Sequence, residues 1–140
     1  MEKILVLGGA FQGKGDFVCQ KYHINKRDMI DNLECLKSYI LSESEEKRSP
    51  IVINGFHAII GEAVKKKEDM SFFSQWLSEE CGSFLNGSWI IISDEIGCGI
   101  VPVEKEDRQI REETGRLLCT ISSRADKVIR IMCGIPTQIK

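Results

Sequence analysis

The chain has little of what marks several large functional classes. Its six cysteines contain no C-x-x-C pair, so their spacing gives no support to a zinc site. No run approaches the ~18 apolar residues that span a bilayer. The opening MEKILVLGG is too short in its apolar part for a secretory segment. Neither charge sign prevails: 19 Lys and Arg stand against 21 Asp and Glu, a net charge of -2. That balance gives no electrostatic basis for binding nucleic acid or an anionic membrane. Histidine is confined to His23 and His57. There is no internal repeat, no low-complexity segment and no linker long enough to divide the chain. The expectation is a single cytoplasmic domain over residues 1–140, with Cys19, Cys35, Cys81, Cys98, Cys119 and Cys133 as reduced thiols.

What is present is ordinary globular material, 42% apolar and 29% charged, enough to bury a core without disulfides. KILVLG (3–8), IVIN (51–54), WIIIS (89–93) and VIRIMC (128–133) read as buried strands. The tail GIPTQIK reads as a last edge strand, its pairing limited by Pro136. Helical spacing covers 14–22, 27–41, 57–66, 70–85 and 104–124. SESEEKRSP reads as a solvated loop, and the KKK at 65–67 suits a helix C-terminus, where cations offset the dipole. Strands alternating with helices predict a three-layer α/β, P-loop NTPase-like domain with a mostly parallel central sheet.

The first strand runs into GGAFQGKG, a G-x-x-x-x-G-K frame carried by Gly8, Gly13 and Lys14. Glycines let backbone N–H groups converge on phosphate oxygens, and the following helix adds its positive end. Gly8, Gly9, Ala10, Phe11, Gln12, Gly13, Lys14 and Gly15 are therefore the candidate nucleotide-binding residues, for ATP or GTP, with Lys14 on the terminal phosphates. A serine or threonine would normally follow the lysine and ligate Mg2+; here Gly15 cannot. Asp16 suits the helix dipole but repels a nearby phosphate. The competing reading is a glycine-rich turn used only for packing.

A second constellation, IIISDEIGCGIVP (90–102), places Asp94 and Glu95 at the C-terminal end of a predicted central strand, the edge where parallel sheets bind ligands. Two carboxylates there can orient metal-bound water or accept a hydroxyl proton. A helix cap and a flexible turn would use the same residues.

SDEIGCGIVP and the following DRQIREETGRLLCTISSRADKVIRIMCGIPTQIK resemble the C-terminal half of the bifunctional adenosylcobinamide kinase / adenosylcobinamide-phosphate guanylyltransferase family. The shared residues are Glu95, Gly97, Gly99, Ile100, Val101 and Pro102, then Arg108, Arg111, Gly115 and Arg116, then Ala125, Asp126, Val128, Gly134, Ile135 and Lys140. LGGAFQGKG is similar to the family's G-G-A-R-S-G-K-S. The resemblance implies phosphorylation of the aminopropanol hydroxyl of adenosylcobinamide with ATP or GTP, guanylyl transfer through a histidine, and a homotrimer. It gives Lys14 and Glu95 catalytic roles, Lys14 on phosphate and Glu95 orienting the hydroxyl or metal.

The departures fall on the chemistry. Gly15 replaces the family serine, Phe11-Gln12 replaces Arg-Ser, Asn54 stands where an acidic residue ends a strand, and Leu118 and Cys119 replace Asn and Gln. The middle segment that carries the family's guanylylated histidine is missing. His23 and His57 therefore read as solvated or packing histidines, and the guanylyl step is not expected. Asp94, where the family has asparagine, supplies a carboxylate and is the candidate Mg2+ ligand. Three functions remain open: a divergent kinase, a non-catalytic nucleotide- or corrinoid-binding paralogue, and a purely structural one.

Overall fold

The computed structural model of the protein describes residues 2–42, 50–78, 87–96 and 99–140. Five strands form one sheet: β1 Lys3–Gly8, β2 Ile51–Asn54, β3 Trp89–Asp94, β4 Lys127–Met132 and β5 Ile135–Gln138. Their spatial order is β2-β3-β1-β4-β5. The first four strands are mutually parallel, and β5 turns back antiparallel on β4. The helices are α1 Lys14–Tyr22, α2 Leu33–Leu41, α3 Phe56–Lys65, α4 Ser71–Trp76 and α5 Lys105–Arg124, with a 3-10 turn at Lys26–Asp28.

The strands are apolar on both sides because both faces are covered. Leu5, Ile53, Trp89, Ile91 and Val128 face one way and pack on α2 to α5 through Leu36, Phe56, Ile60, Phe73, Leu117 and Ile121. Ile4, Val6, Val52, Ile90, Ile92, Ile129 and Ile131 face the other way, where Val18 of α1 and Met29 cover them. The three-layer α/β reading therefore holds. So does the last strand: Pro136 is accommodated at the sheet edge, opposite Ile131.

One expected helix begins later than its apolar spacing suggests. Residues 27–32 are not helical, apart from the end of the 3-10 turn. Instead Ile30 pairs with Ile53 as a parallel bridge, its carbonyl accepting the Asn54 N–H and its own N–H donating to the Val52 carbonyl. Asn32 then caps α2, its Oδ1 accepting the Cys35 N–H at 2.9 Å. Met29 is buried and Ile30 partly buried by strand-like contact, which an i, i+1 apolar pair satisfies as well as a helix does. In the 70–85 stretch, α4 occupies 71–76, and residues 79–86 lie outside the described residues.

Candidate phosphate-binding site

β1 ends at Gly8, and the chain reverses through Gly9–Gly13 into α1. Gly8 is required here for packing: a Cβ would lie 2.5 Å from the Ile131 carbonyl oxygen of β4. Gly13 adopts φ 85°, a left-handed conformation that favours glycine, and no side chain caps the helix behind it. The first-turn N–H groups are thus left for an outside acceptor. They open on a cleft of about 450 Å3 whose lining includes Phe11, Gln12, Gly13, Lys14, Gly15, Asp16, Lys26, Asn54, His57 and Asp94.

Lys14 is the central cation. It is only 8% exposed, and its Nζ lies 2.7 Å from the Gly9 carbonyl and 2.6 Å from Asp94 Oδ1. Strand pairing explains this proximity, since Asp94 of β3 stands in register with Gly8 of β1. Asp94 has a second neighbour in His57, at the start of α3. Its backbone N–H donates to His57 Nδ1 at 3.0 Å, and its Oδ2 lies 3.3 Å from Nε2. A ring that accepts at Nδ1 carries its proton on Nε2. Burial holds the His57 pKa below its ordinary value; the Asp94 charge pulls it up and Lys14 pushes it down. A second pair sits in the same cleft, Lys26 Nζ at 2.7 Å from Asp16 Oδ1, both well exposed. Asp16 therefore meets a cation of its own inside the cleft.

Of the candidate loop residues, Phe11 through Gly15 line the cleft, whereas Gly8, Gly9 and Ala10 form the turn behind it. Asp94 lines the cleft and Glu95 does not. The Glu95 N–H continues the β1–β3 ladder to the Gly8 carbonyl, and its carboxylate is gripped by Arg130 of β4, Nε to Oε1 at 3.0 Å and Nη2 to Oε2 at 3.1 Å. The two adjacent carboxylates thus have different surroundings. Arg108 and Arg111 of α5 also serve the chain itself: their guanidinium groups donate to the carbonyls of Pro102, Val103, Ile100 and Gly99.

Two features of the site lay outside the sequence-level expectations. His57 is neither solvated nor a plain packing residue, because it contacts Asp94 inside the cleft. Its position three residues after the end of β2, with β2 beside β3, was the available signal. The other feature is the β4–β5 hairpin. Cys133 and Gly134 turn with φ 51° and 76°. Their N–H groups donate to the Gln12 side chain and carbonyl, respectively. The tetrapeptide Asn25-Lys26-Arg27-Asp28 also has the N-K-x-D spacing associated with guanine reading. Only its Lys26 lines the cleft; Asn25 and Asp28 line a separate cavity of about 380 Å3 beside His23 and Val52.

Among the described residues no three His, Cys, Asp or Glu side chains gather as a metal-binding group. Mg2+ needs only one or two protein carboxylates beside substrate phosphates. Asp94 and Asp16 are the carboxylates in the cleft, and each already faces a lysine.

The fold and this strand–turn–helix place the protein in the three-layer, P-loop-like α/β class. A structure from Pyrococcus horikoshii OT3 shares the fold with TM-score 0.50 and 11% identity, covering 99% of this chain and 86% of that one. Residues 20–139 match the family model CobU, cobinamide kinase / cobinamide phosphate guanyltransferase, and the chain belongs to that family. The match begins beyond the glycine-rich loop. A curated relative, the bifunctional adenosylcobalamin biosynthesis protein CobP of Pseudomonas aeruginosa PAO1, is 34% identical over 61 residues. That match takes in 44% of this chain and about a third (35%) of the relative's length. Among the described residues no helix is long and apolar enough to cross a membrane.

Proposed function

We propose that the protein is a nucleotide-dependent cobinamide kinase. ATP or GTP is held by its phosphates in the cleft, and the terminal phosphoryl group passes to the aminopropanol hydroxyl of adenosylcobinamide. The observation that carries this reading is Lys14, a cation 8% exposed at an uncapped helix N-terminus. The hydroxyl oxygen bonds to the γ-phosphorus as the β–γ bridging bond breaks, releasing the nucleoside diphosphate and a proton. Phosphoryl transfer needs mostly positioning and electrostatics. Lys14 and the Gly13–Gly15 backbone supply these, with Asp94 as the group that would hold Mg2+. Bound there, the metal would neutralise charge on the transferring phosphates. Glu95, tied to Arg130, holds the end of β3 in place.

The proposal does not extend to guanylyl transfer. His23 lies outside the cleft, and His57 Nδ1 is already occupied by the Asp94 N–H.

A second reading is a paralogue that binds nucleotide or corrinoid without turnover. The absence of a hydroxyl at Gly15 and the engagement of Glu95 by Arg130 favour it. The test is thermal unfolding with ATP and with GTP, each with and without Mg2+, using Lys14→Ala as control. Ligand at 100 times its Kd adds about 2.7 kcal/mol, a rise of several degrees for a domain of this size. A shift lost in Lys14→Ala supports nucleotide binding, and phosphate transfer to adenosylcobinamide then separates the kinase from the silent paralogue. No shift at millimolar nucleotide would rule out both nucleotide-dependent readings.

A further inference from the structure

The phosphate loop carries a side chain that phosphate binding does not use. Phe11 sits at φ 58°, a left-handed conformation in which a bulky side chain is an outlier. The residue is fully exposed, at 104%, yet it lines the same cleft as Lys14 and Lys26 and is, among the described residues, the one Phe, Tyr or Trp to do so. Its backbone is braced on both sides. Lys14 Nζ ties back to the Gly9 carbonyl, and Gln12 is fastened to the β4–β5 turn through Cys133 and Gly134. A strained backbone held rigid around an apolar ring in water is a costly arrangement for packing alone, because the ring packs against nothing that hides it.

The cleft therefore holds two lysines, each paired with an aspartate, and an exposed aromatic residue. Three chain steps separate Phe11 from Lys14, at most ~11 Å between their backbones, a span one mononucleotide can bridge. The volume, about 450 Å3, falls in the usual small-ligand range.

We propose that Phe11 is a stacking platform for the nucleobase of the bound nucleoside triphosphate, and that it sets the preference for nucleotide over bare polyphosphate. This inference rests on the nucleotide-binding reading above. Stacking engages the face of the base and not its hydrogen-bonding edge, so Phe11 serves adenine and guanine alike.

Calorimetric titration of the whole chain tests this, with ATP, GTP and tripolyphosphate against wild type, Phe11→Ala, Phe11→Leu and Phe11→Trp at one fixed Mg2+ concentration. Removing one base–aromatic stack weakens binding on the order of tenfold or more. Phe11→Ala and Phe11→Leu should lose that factor for both nucleotides and leave tripolyphosphate unchanged. Phe11→Trp should keep nucleotide affinity. Equal losses on all three ligands would mean that Phe11 shapes the loop and stacks on nothing, and would overturn the proposal. So would unchanged nucleotide affinity in Phe11→Ala, or a loss confined to one base. Wild-type protein that binds none of the three would instead overturn the nucleotide reading itself and this inference with it. Unaltered thermal unfolding of the variants without ligand, expected for an exposed ring, excludes misfolding as the cause.

Discussion

Lys14 and Asp94 meet at 2.6 Å across neighbouring strand ends, the lysine 8% and the carboxylate 21% exposed. The cation placed to receive phosphate is therefore already neutralised. An incoming phosphate must compete with Asp94, whereas a metal that takes Asp94 would release Lys14 to the phosphate. If the cleft binds nucleotide as proposed, phosphate and metal binding would in this way be coupled through one carboxylate.

Asp94→Asn should uncouple them. The variant loses a charge-assisted contact at a poorly exposed lysine and should be destabilised by ~1.5–3 kcal/mol in urea unfolding. Its metal-free affinity for tripolyphosphate should rise, and the benefit of added Mg2+ should vanish. Titration calorimetry with and without Mg2+ reads both effects. An unchanged Mg2+ dependence would remove Asp94 from the metal site.

Gly15→Ser tests the missing hydroxyl. A Cβ at Gly15 would lie 4.0 Å from Asn54 Nδ2 and close to nothing else, so the site has room. Serine favours the first turn of a helix over glycine, and folding stability should hold or improve by a few tenths of a kcal/mol. Nucleotide affinity in Mg2+ should increase, while affinity in chelator stays constant. Loss of stability would show that the turn cannot accept a side chain.

His57 gives the site a pH dependence. Its folded pKa is depressed below 6.5, first by burial, with Lys14 adding to the effect and Asp94 opposing it. Below pH 6.5 the unfolded chain takes up this proton before the folded one does, so stability falls as pH drops from 6.5 through the folded value. Protonation also removes the acceptor for the Asp94 N–H. Urea midpoints between pH 7 and pH 5 should decline in wild type, and the decline should be shallower in His57→Gln. Equal slopes would mean that the titration of His57 is not linked to folding.

Much of the architecture was legible because the strands are short β-branched apolar runs, as in IVIN and WIIIS, and their limits follow from Gly8, Asn54 and Asp94. The Met29–Ile30 segment was not, since its apolar pair suits a helix and a bridge equally and only the sheet edge decides. At the site, the loop residues and Asp94 could be read from spacing. The grip of Arg130 on Glu95 and the placing of His57 against Asp94 depend on strand order, which no local pattern encodes. The same limit hid the role of Gln12, whose partners lie more than a hundred residues away.

That last contact bears on how the protein is made. Gln12 and Cys133 are 121 positions apart, and β1 needs β3 and β4 as neighbours on its two sides. A ribosome therefore delivers the glycine-rich loop before the strands that support it. Until the β4–β5 hairpin emerges, the loop lacks the contacts that Cys133 and Gly134 make with Gln12. Non-local closure of this kind slows folding. It also means that a nascent chain arrested before β4 should bind no nucleotide, however well its first hundred residues have folded.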